Sequence, residues 1–219
     1  MNFSPINEYK KIVDWTDSLV GTPILLYSFR NQLRKFLNSQ QHPVKVKLKF
    51  DETLENSMWA VGGEYLPDLD LIGRKPIRID FIINHDRNQP WELSKSESQE
   101  LACLITETLA HEYQHLKQFR ARNYKHRMHR YSGPVTLSQD SEQIEYLSSL
   151  DELDAYSTNI AIRLYIEQSV LKLVRTIPNW DLTTYHEVFG EDHPVTQDLN
   201  SRIEKKLKKI QKQERTSCS

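Results

Sequence analysis

Cysteine is nearly missing: Cys103 and Cys218 are the only two in 219 residues. Two cannot build a disulfide framework. The N-terminal run MNFSPINEYKKIVDW also lacks the basic-then-apolar layout of a secretory signal. A reducing, cytoplasmic setting is therefore expected. Long apolar runs are missing too. No stretch approaches the ~18 residues a spanning helix needs, so no membrane is expected as a partner. Glycine is scarce, at six residues, and no repeat or low-complexity block interrupts the chain. Charge of one sign is absent on average, with 29 Lys+Arg against 30 Asp+Glu. Spread evenly, that balance would exclude a wholesale nucleic-acid binder.

Hydrophobic residues reach 38%, enough for a core in a single domain spanning 1–219. Residues 5–38 read as two helices. The first ends at Gly21, and the second opens with Thr22 as N-cap and Pro23 at its first position. The period then changes to two. Val44, Val46, Leu48 and Phe50 alternate with lysines, and Ile77, Ile79, Phe81 and Ile83 alternate with Arg78 and Asp80. Between them Met58–Leu66 reads as a weaker strand whose Gly62-Gly63 marks a bulge or a close backbone approach. This predicts a small, three-stranded, largely antiparallel sheet over 44–84. Ser94 and Glu97 form a capping box for a helix over 96–122. Residues 123–146 read as a loop. A helix over 149–175 and another over 196–213 follow. Helices, a small sheet, then helices give a predominantly helical α+β class.

The chemistry is carried by His111-Glu112-Tyr113-Gln114-His115, an H-E-x-x-H pattern. Positions i and i+4 share a helix face. Two imidazoles there can bind one Zn²⁺ at about 2.0–2.1 Å. Glu112, about 100° further round, can stand beside the ion as a general base. The continuation with Gly and a third His is missing: Gln118 and Ala121 occupy those places. A third ligand must come from elsewhere. Glu152, at the start of an amphipathic helix, is the leading candidate, and Tyr156 shares its face. Asp154 lies about 200° away and faces other partners, an imidazole N–H among the candidates. Glu145, Asp151, Asp154, His126 and His129 are the rival ligands. Cys103 reads as a small buried hydrophobe.

The motif, with the acid on a later helix, resembles the zincin metallopeptidases in their gluzincin-type arrangement. H-E-Y-Q-H-L-K-Q with E-L-D-A-Y-S is also similar to small zincin-like proteins of bacteria and tailed phages. The resemblance is specific over about 96–165. It implies a zincin-like domain with His111, His115 and Glu152 as zinc ligands, Glu112 as base, and a peptide substrate. For a phage-encoded chain it implies the host cytoplasm or the virion as its location. Tyr156 stands where better-known gluzincins carry Asp, four residues after the ligand. The strand at 76–84 would match the edge strand that pairs with an extended peptide. In the implied reaction zinc lowers the pKa of its water toward ~7 and Glu112 moves the proton. Tyr156, Tyr185, His186 and His193 are candidates to steady the oxyanion.

A reading of another class rests on charge. Segment 117–130 holds Lys117, Arg120, Arg122, Lys125, Arg127 and Arg130 with no acid. Segment 202–215 holds seven Lys/Arg against two Glu. The rest of the chain carries 16 basic and 28 acidic residues. Neutrality is thus an average over opposed regions, and the two basic segments are candidate nucleic-acid contacts. The alternative function is a zinc-containing nucleic-acid-associated or virion structural protein with little proteolysis.

Overall fold

The structure, a computed structural model, describes residues 3–54, 59–125, 141–171 and 180–217. The chain divides into two compact units, Met1–Leu116 and Lys117–Ser219. Helices dominate around one three-stranded sheet, so the class is α+β.

In the first unit α1 (Pro5–Asp17) opens with proline, whose missing N–H and fixed φ suit a first turn. It buries Ile6, Tyr9, Ile12 and Thr16. The helix stops short of Gly21 because the next residues pair elsewhere: Gly21 N–H reaches Leu93 O at 3.0 Å. Gly21 adopts φ +68°, which glycine permits without strain. The second helix, α2 (Leu26–Ser39), begins later than Thr22-Pro23 suggests. Ile24 exchanges two backbone hydrogen bonds of 2.9 Å with Trp91, which holds 23–25 extended. Leu25 is the N-cap residue, so the Thr22 cap does not form.

The strands are β1 (Val44–Phe50), β2 (Trp59–Tyr65) and β3 (Ile77–Ile83), with a short helix α3 (Pro67–Leu71) between the last two. Their spatial order is β1-β3-β2. β2 pairs antiparallel with β3, as expected, but β1 pairs parallel with it. The sheet is therefore mixed. The 26 residues between β1 and β3, which include β2 and α3, supply the crossover a parallel pair requires. A second correction follows. β3 is the central strand, so both its edges are occupied and it cannot accept a peptide by strand addition. Its burial explains the composition: four apolar side chains point one way and Asp80 is itself buried against Lys49 and Arg78. β1 and β2 are the edges. The exposed Lys45, Lys47 and Lys49 protect β1 against stray pairing.

Phe29 of α2 packs on Phe81 and Trp91 at centroid distances of 5.0 and 5.2 Å, and Trp59 and Trp91 close around Phe81. Each such ring contributes about 1.5–3 kcal/mol by burial. Trp15 stacks on Phe36. Trp15, Trp59 and Trp91 thus pack as aromatic anchors of this unit; the side chain of Trp180 lies outside the described residues.

One long helix, α4 (Lys95–Ala121), runs unbroken across the division of the chain. The second unit continues with α5 (Ser141–Leu147), α6 (Leu150–Tyr165), a π-helical turn (Ile166–Val170), α7 (Trp180–Phe189) and α8 (Pro194–Ser217). Part of the expected loop at 123–146 is thus α5. Its core joins Leu153, Ile160 and Ala161 of α6, Tyr185 and Phe189 of α7, and Leu199 and Ile203 of α8. Arg202 and Lys206 of α8 reach Asp154, the latter at 2.6 Å. Among the described residues no helix is long and apolar enough to cross a membrane.

Candidate metal centre

The start of α4 is fixed by its sequence. Glu97 N–H donates to Ser94 Oγ at 3.3 Å and Ser94 N–H donates to Glu97 Oε2 at 2.7 Å, the reciprocal capping box. The first turn is tied to the end of α1. Ser98 Oγ donates to Asp17 at 2.5 Å, Lys95 pairs with the same carboxylate, and Thr16 Oγ1 donates to Ser98 O at 3.1 Å. Leu101, Ile105 and Leu109 are then fully buried, so α4 enters the interior two turns before the motif. Cys103 is buried there, its Sγ 3.3 Å from Glu107 Oε1, in the structural role expected of it.

A buried network holds the motif helix from another side. His42 Nε2 lies 2.9 Å from Glu8 Oε2, and His42 Nδ1 lies 3.0 Å from Tyr113 Oη. A carboxylate only accepts, so Nε2 carries the hydrogen, and in the neutral ring Nδ1 accepts from the phenol. Phe3 stacks on Tyr113 at 4.5 Å. Tyr113, a variable position of the motif, thereby fixes the rotation of the helix that carries His111, Glu112 and His115. Nothing in the sequence pairs Glu8 with His42, since they belong to different elements.

His111 and His115 present their Nε2 atoms to each other at 2.9 Å. His111 is 8% exposed, Glu112 is 5% exposed, and His115 is half-buried. A carboxylate oxygen of Glu152 completes the group: one ligand atom each from His111, His115 and Glu152 lies within 4.8 Å of the others. This group can hold a metal ion. Two imidazoles and a carboxylate make one of the three-ligand donor sets found in catalytic zinc sites. Zinc–ligand bonds of 2.0–2.1 Å at a tetrahedral angle need nitrogens about 3.3 Å apart. The residues therefore fit the ion with a small spreading of the two rings.

Local structure explains why Glu152 is the acid that is brought in. Ser149 Oγ accepts from Glu152 N–H at 3.3 Å, which caps α6 and leaves the Glu152 carboxylate for the histidines. The rivals are placed elsewhere. Asp151 is held by Arg122 at 2.7–2.8 Å, and Gln118 Nε2 donates to its backbone carbonyl. Asp154 faces Lys206 and Arg202 of α8. Glu145 is exposed on α5. His126 and His129 lie outside the described residues.

Of the oxyanion candidates, Tyr185 donates to Leu147 O at 2.9 Å inside the core. His193 Nδ1 accepts from Val195 N–H at 3.3 Å at the start of α8, and His186 sits 3.8 Å from Glu191. Tyr156 remains beside Glu152. With it stands a residue that sequence reasoning missed, Tyr146. Its hydroxyl hydrogen-bonds with the Glu152 carboxylate and with Tyr156. Burial of the hydroxyl, then the Glu152 charge, holds this phenol far above its ordinary pKa, so it stays protonated and donates. Only the turn at Ser148-Ser149 brings α5 to this place, and that turn has no glycine or proline to announce it.

The basic residues separate into two groups. Arg122, Arg202 and Lys206 are committed to Asp151 and Asp154. Lys117, Arg120 and Lys125 are exposed. Arg127 and Arg130 lie outside the described residues. Gly62-Gly63 makes no bulge, for both pair in regular register with Asp80 and Ile79. Gly63 instead provides the close approach: a Cβ there would lie 2.6 Å from Glu112 Oε1. No protein-family model, no curated protein and no solved structure matches this chain.

Proposed function

We propose that the chain is a zinc-dependent metallopeptidase. The single observation that carries this reading is the His111, His115 and Glu152 group, with Glu112 buried one residue from the first ligand. The zincin resemblance over 96–165 supports it. A bound Zn²⁺ supplies Lewis acidity and a water whose pKa falls toward ~7. Glu112 accepts that proton and returns it to the leaving amine. Tyr156 offers a phenol to the developing oxyanion. The antiparallel edge strand β2, with Gly63 against the Glu112 side chain, is the place for an extended peptide to add a strand.

The test is a zinc-loaded Glu112→Ala protein assayed on a peptide library. It should keep stoichiometric zinc and lose hydrolysis. Turnover equal to the unsubstituted protein would reject the base. Failure of the unsubstituted protein to bind zinc would reject the centre.

A further inference from the structure

We infer that Gly63 is a positioning residue for Glu112: the absence of a side chain at this one place in β2 sets where the base can stand. The inference rests on the hydrolase reading for its kinetic consequence but on geometry alone for its cause. β2 carries two adjacent glycines, and they are not equivalent. An added Cβ at Gly62 meets nothing within 4 Å. At Gly63 it would stand 2.5 Å from Thr108 Cγ2, 2.6 Å from Glu112 Oε1 and 3.0 Å from Glu112 Cγ. Neighbouring strand residues point to opposite faces, so one glycine looks away from α4 and the other looks onto it.

Which partner would yield is decided by stiffness. The β2 backbone is pinned at this point by its ladder to β3, with Gly63 opposite Ile79. Thr108 is β-branched, but a helical threonine has two staggered χ1 states, so turning to the second carries its Cγ2 out of the way. Glu112 has three rotatable bonds, and its carboxylate is the far end of them. A methyl group at position 63 therefore drives the carboxylate away from its seat, while His111, one residue before Glu112, and His115, three residues after it, keep their places on the helix. Metal retention and base placement come apart. Displacing a reacting group by about 1 Å costs on the order of 100-fold in rate. Both Gly→Ala changes carry the same backbone entropy gain and similar strand propensity, so Gly62→Ala is an internal control.

The experiment compares Gly62→Ala and Gly63→Ala in the full chain by bound zinc, kcat, KM and crystal structure. Gly63→Ala should keep stoichiometric zinc and a KM within about twofold, and lose about 100-fold in kcat. Gly62→Ala, whose added methyl meets nothing within 4 Å, should keep stoichiometric zinc and leave the Glu112 carboxylate in its place. In the crystals the Glu112 carboxylate should be displaced in Gly63→Ala only. Equal kcat in Gly63→Ala, or an equal displacement of the Glu112 carboxylate in Gly62→Ala, overturns the inference. If the unsubstituted protein hydrolyses nothing, the proposed function falls. The crystals then decide this inference alone: displaced Glu112 in Gly63→Ala supports it, and an unmoved carboxylate overturns it.

Discussion

Arg122 grips Asp151 with both ends of its guanidinium, Nη1 to Oδ1 at 2.8 Å and Nη2 to Oδ2 at 2.7 Å. Asp151 and Glu152 are adjacent carboxylates on the first turn of α6, about 100° apart around the helix. The arginine takes one of them out of competition, and the other is left for the two histidines. One charge-assisted hydrogen bond, from Nη1, and a second close charge contact, both partly buried, make this a stronger pairing than an ordinary surface ion pair.

The two acids should therefore differ sharply in metal binding. Glu152→Ala should abolish stoichiometric zinc, whereas Asp151→Ala should retain it. The check is elemental analysis with thermal unfolding. Zinc at about 100 times its Kd stabilises a folded protein by about 2.7 kcal/mol. That gain should raise the melting temperature of the unsubstituted protein and of Asp151→Ala, and vanish in Glu152→Ala and His111→Ala.

Much of this centre was legible in advance, for a local reason. His111, Glu112 and His115 lie within five residues of one helix, so spacing alone gives their geometry. The Ser94–Glu97 capping box is equally local. Chain order and resemblance point to Glu152 but do not separate it from Asp151 and Asp154. Choosing among them needed the partners Arg122 and Lys206, which are tertiary neighbours. Tyr146 is hidden by the unmarked turn at Ser148-Ser149, and the Glu8–His42 pair by its distance along the chain, since long-range pairs leave no periodicity. The parallel pairing of β1 with β3 escaped for the same reason: an alternating pattern says which face is buried and nothing about which strand lies next door. The Thr22 cap failed because a long-range bridge between Ile24 and Trp91 overrode a local preference.

Tyr146 gives a prediction that the sequence could not. Its phenol donates to the carboxylate that would serve as third ligand, and such supporting hydrogen bonds orient metal ligands. Tyr146→Phe keeps the ring and removes only the donor. Zinc affinity, measured by competition with a chromophoric chelator, should fall about 10- to 100-fold. Because Tyr146 is 48% exposed as a residue, the melting temperature of the metal-free protein should barely change.

His42 is the centre of the network behind the motif helix. His42→Phe fills the space with a ring but leaves Glu8 and Tyr113 without this partner. Stability should fall by about 1–3 kcal/mol, the usual cost of removing one side of buried hydrogen bonds. Denaturant unfolding of the metal-free protein reads this directly. His42→Gln, which retains polar atoms, should lose less.

Asp17 sets the acid limit of the tie between α1 and α4. Burial raises its pKa, but the hydrogen bonds and charge of Lys95 and Ser98 together outweigh burial and hold it below 3.8. A carboxylate with a depressed pKa in the folded state binds fewer protons than the same group in the unfolded chain. Between its folded value and 3.8 the unfolded chain holds the extra proton, so stability rises with pH across that window. The contribution is complete above 3.8 and disappears as pH falls through the folded value. Asp17→Asn removes the titration altogether. The stability difference between the unsubstituted protein and Asp17→Asn should be constant from neutral pH down to about 5 and shrink below the ordinary aspartate range near 3.9. Urea unfolding at a series of pH values measures it. A difference that grew on acidification would mean the Asp17 carboxylate is not held by Lys95 and Ser98.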